Sequence, residues 1–148
     1  ILEAYGCQIF FYDPYVDHVQ EAYQKCGLEE IFENSDIVSI HLPVMESTKG
    51  MIHADLFAKM KETAIFVNTA RSAVVDEGAL IEVLRAKKIK GAILDVLSVE
   101  PPTEDALAVA KLDNVLLTPH ICGAAYEVID HQSQIMADCI DAWMKEKK

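Results

Sequence analysis

The chain has 148 residues, 51% of them hydrophobic and 25% charged, which is enough for one globular domain with a buried core. Its formal net charge of −11 disfavours nucleic acid and anionic membrane surfaces as main partners, because both are polyanions. No apolar run is long enough to span a bilayer, and no signal-peptide pattern is present. The four cysteines show neither metal-site nor disulfide spacing, so we expect reduced thiols, no metal site and a cytoplasmic protein.

The amino-terminal segment predicts a domain whose beginning is missing. ILEAYGC resembles the last turn of a helix closed by Gly6, and CQIFFYD predicts a strand that ends at Asp13. Residues 15–25 predict a helix closed by Gly27, and LEEIFENS then predicts a short amphipathic helix.

Apolar strands and helices alternate through the rest of the chain. DIVSIHLP, TAIFVNT, KGAILDV and NVLLTPH predict strands, and the continuous apolar run in TAIFVNT is typical of a sheet covered on both faces. Helices are predicted over 54–60, from an N-cap at Asp76 to Lys87, and from Asp105 onward. A long amphipathic helix is predicted over 124–147, with a buried stripe formed by Ile129, Ile135, Met136, Cys139, Ile140 and Trp143. This alternation predicts an α/β fold with a doubly wound parallel sheet.

Side chains suited to ligand binding and proton transfer follow the ends of these strands: Asp13, Leu42, Thr69, Arg71, Asp95, Glu100 and His120. Taken singly, each has an ordinary explanation: Asp13 can cap a turn, Arg71 can be solvated or paired, and His120 can hydrogen-bond within its loop. Their common position favours function, because the carboxyl ends of parallel strands meet at one edge of the sheet, where ligands bind. The sequence therefore predicts a ligand site at this edge, with His120 placed for proton transfer.

Two of these positions suggest more particular roles. An acidic residue at the end of the second strand of a dinucleotide-binding unit accepts hydrogen bonds from the adenosine ribose and repels a 2′-phosphate. Asp13 therefore favours NAD over NADP. Thr48 follows the strand that Pro43 ends, and it either caps the next turn or contacts a ligand.

NTAR, DVLSVEP and TPHICGAA, in that order and at these separations, resemble the cofactor domain of the D-isomer-specific 2-hydroxyacid dehydrogenases, the phosphoglycerate dehydrogenase-like family. YDP, SDIVSIHLP and STKGMI agree with that resemblance, which covers nearly the whole chain. It implies a Rossmann-like fold whose first strand and Gly-rich loop are missing from this chain. Residues 1–148 would then be a partial NAD-binding domain, with the substrate domain absent from this chain.

The resemblance implies an oxidoreductase that transfers a hydride between NAD(H) and a small 2-hydroxy or 2-oxo acid. Arg71 would bind the substrate carboxylate, and His120, with Glu100 beside it, would be the general acid and base. These roles are chemically sound, because a guanidinium fork matches a carboxylate and an imidazolium can protonate a developing alkoxide. The cofactor contacts implied are Asp13, Leu42, Pro43, Thr48, Asn68, Thr69, Ala70, Arg71, Asp95, His120 and Gly123. A homodimer is implied for the full-length protein, and the chain by itself is expected to be inactive.

Two other classes of protein remain open. One is a non-catalytic NAD-sensing protein, like the corepressors of this family, or a scaffolding protein on the same fold. The other is a Rossmann-like domain for another nucleotide or S-adenosylmethionine, in which Arg71, Glu100 and His120 would have no purpose. Cys122 departs from the family's usual small residue: its thiol either has a lowered pKa near a helix N-terminus and is easily alkylated, or simply packs.

Overall fold

The computed structural model describes residues 2–16, 19, 22–99, 101–104 and 106–146. The strands are β1 (Ile9–Phe11), β2 (Tyr23–Lys25), β3 (Ile37–Ile40), β4 (Ile65–Asn68), β5 (Gly91–Leu94) and β6 (Val115–Leu117). The α-helices are α1 (Leu28–Asn34), α2 (Ala54–Phe57), α3 (Glu77–Arg85) and α4 (Tyr126–Glu146), and short 3₁₀ helices span Leu2–Tyr5, Ser72–Val74 and Ala106–Lys111.

The central sheet is parallel, with the strand order β3-β4-β5-β6. Its register pairs Phe66 with Val38 on one side and with Ala92 on the other, and these side chains lie on the buried face. Phe66 also packs edge to face on Phe57 of α2, with ring centroids 5.2 Å apart, and Phe57 packs in the same manner on Phe32 of α1. The parallel strands and the helices packed on them confirm the predicted α/β fold.

The two faces of the sheet are covered unequally, which differs from the expectation for TAIFVNT. Phe66 and Asn68 of β4 are buried, whereas Ile65 and Val67, on the other face, are only half-buried. Ile37 and Leu116, on the outer strands, are exposed. The continuous apolar run indicates that a strand can be buried on both sides, but it does not supply the second cover.

The helix predicted over residues 15–25 is wrong in its last part. Tyr23–Lys25 form β2, which pairs in parallel with β1 so that Ile9 lies opposite Tyr23. The backbone N–H of Cys26 then donates to the carbonyl of Phe11 at 3.0 Å. Pairing with a strand distant in sequence has overridden the local helical pattern. Residues 17, 18, 20 and 21 lie outside the described part of the chain.

Local end signals were reliable guides elsewhere. The Asp76 side chain accepts a hydrogen bond from the Ala79 N–H at 3.0 Å, so α3 begins at the predicted N-cap. Gly6 lies in the left-handed region (φ +75°) directly after the first 3₁₀ helix, as expected of a residue that closes a helical turn. The helix expected over 54–60 is shorter, and a 3₁₀ helix follows Asp105, which itself lies outside the described residues.

The long helix α4 is present as predicted, but its apolar stripe is not buried. Ile129, Ile135, Met136, Cys139, Ile140 and Trp143 are all exposed. Periodicity identifies the apolar side of a helix, but it does not say which surface covers that side. Within the described residues, no helix is long and apolar enough to cross a membrane.

Candidate active site

The turn after β4 places Arg71 at the carboxyl edge of the central sheet. The buried side chain of Asn68 shapes this turn, because its Oδ1 accepts the Ala70 N–H at 3.0 Å and its Nδ2 donates to the Arg71 carbonyl at 3.1 Å. The Arg71 guanidinium is exposed, and one of its N–H groups donates to the Ala70 carbonyl at 2.6 Å. Thr69 is half-buried between these residues. Asn68 therefore serves the backbone of the turn, and Arg71 is presented outward.

An open cleft of 490 Å³ lies beside this turn, and it is lined by His41, Leu42, Pro43, Val44, Ala70 and Arg71. Its volume is within the range typical of small-molecule sites. The structure thus brings together predicted site residues that follow two neighbouring strands, β3 and β4. His41, directly after β3, also lines the cleft, and its ring nitrogen lies 2.9 Å from the Ser39 hydroxyl.

Thr48 holds the loop after β3 from inside. Its side chain is buried, and the hydroxyl donates to the Pro43 carbonyl at 2.7 Å and accepts the Met45 N–H at 2.8 Å. These contacts favour the capping alternative for Thr48 over a direct contact with a ligand.

Asp95, directly after β5, is only 1% exposed, and its carboxylate faces the turn that follows β6. One oxygen, Oδ1, accepts the Thr118 hydroxyl and the Ile121 N–H (2.9 Å), while Oδ2 accepts the Cys122 N–H at 2.9 Å. Burial by itself raises the pKa of this carboxyl, but the hydrogen bonds outweigh burial and lower the pKa to about 2. Asp95 is therefore an ionised group surrounded by donors of its own chain at neutral pH.

His120 stands in the turn that Asp95 holds. Its backbone is in the left-handed region (φ +54°), and its N–H donates to the Thr118 carbonyl at 3.1 Å. The imidazole is on the exposed side of the turn. Gly123 is exposed as well, and no described atom of the chain lies within 4 Å of the place a Cβ would take there. The room beside Gly123 is compatible with the close approach of a ligand.

The Cys122 thiol has a raised pKa, so the alternative of a lowered value is wrong. A hydrogen bond to the Asp95 carboxylate is the main cause, and desolvation and the negative charge of Asp95 add to it. The residue is exposed, which also disfavours the alternative of a small packing residue. The neighbouring Asp95 carboxylate therefore affects the pKa of the thiol more than the nearby start of a helix does.

One predicted site residue lies outside the central sheet. Asp13 follows β1 in the separate strand pair, is half-buried, and accepts the Tyr15 N–H at 2.8 Å, as in a turn cap. Glu100 lies outside the described residues. Thr118 was missed by the sequence reasoning, although a hydroxyl directly after a strand and before the Pro-His pair was a usable signal. In the described part of the chain, no cluster of His, Cys, Asp or Glu could hold a metal ion.

Comparison with known proteins identifies the class of this fold and site. Residues 1–122 match the family model described as the D-isomer specific 2-hydroxyacid dehydrogenase, NAD binding domain. The chain belongs to this family, and its α/β fold is Rossmann-like. The predicted resemblance and the NAD cofactor are thereby confirmed at the level of the family.

Individual relatives agree with that assignment. The 2-hydroxyacid dehydrogenase relative YoaD of Bacillus subtilis (strain 168) is 47% identical over 147 residues. The match covers 99% of this chain and 43% of the relative. A solved D-lactate dehydrogenase from Sporolactobacillus sp is 32% identical with a TM-score of 0.83, covering 99% of this chain and 48% of that one. An acyclic imino acid reductase solved with NADPH and D-Arg is 26% identical with a TM-score of 0.83, and the match covers 97% of this chain and 45% of that one. The chain spans less than half the length of these proteins.

Proposed function

We propose that this chain is the cofactor-binding part of an NAD-dependent oxidoreductase that interconverts a small 2-oxo acid and its 2-hydroxy acid. The observation that carries the proposal is the exposed Arg71 guanidinium on the wall of the cleft, in a turn held by the buried Asn68. His120, on the turn after the outermost strand of the same sheet, adds a titratable group. Residues 1–148 would supply the NAD-binding domain, and the substrate domain would come from elsewhere in the full-length protein.

The residues around the cleft fit a dinucleotide. Leu42, Pro43, Val44 and Ala70 offer apolar walls suited to a flat heterocycle, and Arg71 offers a positive charge for an anion. The Asp13 carboxylate, with one oxygen on the Tyr15 N–H, retains acceptor capacity for ribose hydroxyls. When bound, NADH supplies the hydride that arrives at the substrate's carbonyl carbon.

Arg71 would bind the substrate carboxylate. A guanidinium has five N–H donors in a planar fork, so the bond to the Ala70 carbonyl orients the group and leaves donors for two parallel hydrogen bonds. Pairing of this kind fixes the plane of the carboxylate and therefore the direction in which the adjoining carbonyl points.

His120 would handle the proton. When a hydride adds to the carbonyl carbon, the electron pair of the C=O π bond moves to the oxygen, which becomes an alkoxide and needs a proton. An imidazolium at His120 donates that proton in reduction, and the neutral imidazole accepts it in oxidation. Glu100 is proposed to stand beside His120, on the ground of the family resemblance alone.

The test uses the full-length protein and follows NADH absorbance with pyruvate, glyoxylate, hydroxypyruvate, phosphohydroxypyruvate and branched-chain 2-oxo acids. With an accepted substrate, Arg71→Ala should raise KM by about 10–100-fold, as expected for lost charge-assisted hydrogen bonds. His120→Ala should lower kcat by about 10²–10⁴-fold with unchanged NADH affinity. Arg85→Ala and His53→Ala, at exposed positions of the same residue types, are the matched controls.

Some outcomes would contradict the proposal. An unchanged KM in Arg71→Ala removes the carboxylate role, and retained turnover in His120→Ala removes the proton role. Tight NADH binding without turnover of any acid would instead favour an NAD-sensing protein.

For Asp13, replacement by Ser should weaken the preference for NADH over NADPH, and an unchanged preference would refute the ribose contact. Light scattering of the full-length protein tests the homodimer proposed from the resemblance.

A further inference from the structure

We infer that Asp95 is a positioning residue for His120: its buried carboxylate holds the backbone turn from Thr118 to Cys122 in the shape that presents the imidazole. The inference rests on the proposed function, because the turn needs a fixed shape for catalysis only if His120 transfers a proton. It differs from the role that the family resemblance implies for Asp95, which is a direct contact with the cofactor.

The hydroxyl and backbone N–H donors that reach Asp95 lie on both sides of His120 in the chain. The Thr118 hydroxyl comes from two residues before it, and the N–H groups of Ile121 and Cys122 come from the two residues after it. A carboxylate that accepts from both ends of a turn fixes the path between them. The imidazole therefore projects from a backbone segment whose two ends are tied to one buried group.

The backbone of His120 needs such support. A non-glycine residue in the left-handed region is strained relative to ordinary backbone conformations, and it persists only where the surroundings impose it. His120 has φ +54°, and the hydrogen bonds that the N–H groups of Ile121 and Cys122 donate to Asp95 hold the backbone in this conformation. If they were lost, the turn would relax and the imidazole would move. A displacement of about 1 Å in a catalytic group can cost on the order of 10²-fold in rate.

Asp95 is itself fixed by the sheet. Its N–H donates to the carbonyl of Asn68 on β4 at 3.0 Å, and the Thr118 N–H donates to the carbonyl of Leu94 on β5 at 2.9 Å. The backbones of Asp95 and Thr118 thus continue the hydrogen-bond ladders of adjacent strands. The Asp95 side chain is only 1% exposed there. The Cys122 thiol also hydrogen-bonds to this carboxylate. Because a contact of Asp95 with the cofactor is the alternative role, the two must be separated by experiment.

Thr118→Val in the full-length enzyme makes this separation. Valine keeps the shape of threonine and leaves the Asp95 carboxylate in place, but it removes the hydroxyl donor that ties the start of the turn. We expect kcat to fall by about 5–50-fold while KM for NADH stays within about twofold, because the proton donor moves and the cofactor contacts do not. The isotope effect with NADH deuterated at the transferred position should rise, because the chemical step becomes slower relative to product release. Thr118→Ser should restore the wild-type values, and Thr63→Val, at an exposed threonine, is the matched control.

Hydrogen exchange separates the failure of this inference from the failure of the proposed function. The amide hydrogens of Ile121 and Cys122 should exchange faster in Thr118→Val than in the wild type, with no substrate present. An unchanged exchange rate and an unchanged kcat would overturn the inference while leaving the dehydrogenase intact. A higher KM for NADH with unchanged kcat would overturn it in favour of a cofactor contact. A wild type that reduces no 2-oxo acid would overturn the proposed function, and the positioning role would be lost with it.

Discussion

Two turns at the edge of the central sheet carry the two proposed catalytic residues, and each is held by one buried side chain of a different kind. The turn with Arg71 is held by the neutral amide of Asn68, which is 2% exposed, and the turn with His120 is held by the ionised carboxylate of Asp95, which is 1% exposed. The Asn68 side chain makes one bond as acceptor and one as donor, whereas Asp95 acts as an acceptor toward the Thr118 hydroxyl, the Ile121 and Cys122 N–H groups and the Cys122 thiol.

The backbone of each turn explains this difference. The turn after β4 turns one N–H and one carbonyl oxygen toward position 68, and only an amide can both accept and donate there. The turn after β6 turns two N–H groups and a hydroxyl toward position 95, and only a carboxylate can accept from all of them. A neutral amide near Arg71 also avoids an anion that would compete with a substrate carboxylate. The donors and acceptors of each turn therefore decide whether the buried side chain that holds it is neutral or ionised.

The largest difference between the turns should be seen in the free energy of unfolding. Asp95→Ala removes the buried acceptor of part-buried donors and should lower stability by about 3 kcal/mol, since hydrogen bonds to charged groups contribute most. Asn68→Ala breaks two neutral bonds and should cost about 1–2 kcal/mol. Urea unfolding of both variants measures this difference, with Asp113→Ala, an exposed carboxylate paired with Lys87, expected to change little. Equal losses at positions 68 and 95 would show that charge is irrelevant to holding the turns.

The next effect is a dependence on pH that only one turn should show. The pKa of Asp95 is lowered from 3.8 to about 2 in the folded chain, so its ionised form stabilises the fold above pH 4. That stabilisation is lost as the pH falls through the folded-state value near 2. The stability gap between wild type and Asp95→Asn should therefore shrink by about 1–2 kcal/mol between pH 5 and pH 2, by the linkage of one pKa unit to 1.36 kcal/mol.

The gap between wild type and Asn68→Ala should stay constant over the same range, because the amide does not titrate. Denaturant titrations at a series of pH values provide the measurement. A parallel decline at both positions would mean that general acid unfolding, and not Asp95, governs the difference.

The sequence predicts the parts of this comparison that depend on local pattern. Alternating apolar strands and helices place Arg71 and His120 after strands, and Asp76 marks the start of α3 through its own side chain. It does not predict which way Asp95 faces. That direction follows from the ladder register, in which Leu94 pairs with Leu117, so that position 95 lies beside position 118. Register is a non-local property, set by the packing of strands that are distant in sequence.

The same distinction explains two of the differences between the predicted and the observed fold. Tyr23–Lys25 become β2 because β1, more than ten residues earlier, offers a parallel partner. The apolar side of α4, which includes Ile135 and Trp143, is exposed because burial requires a covering surface that periodicity cannot specify. Element type was predictable where caps and period decide it, and pairing and burial were not.

The smallest effect concerns the Cys122 thiol, whose pKa depends on the negative charge of Asp95 in the turn of His120. Because the neighbouring Asp95 raises the pKa of this thiol, less of it is thiolate at neutral pH, and iodoacetamide should modify it slowly for so exposed a cysteine. Asp95→Asn should speed the reaction, whereas Asn68→Ala, in the other turn, should leave it unchanged. Peptide mapping by mass spectrometry gives the rate at Cys122, with the exposed Cys7 as the internal reference in every sample. Equal rates in the wild type and Asp95→Asn would show that the carboxylate does not control the thiol, and that the negative charge of this turn acts only on the donors that hold it.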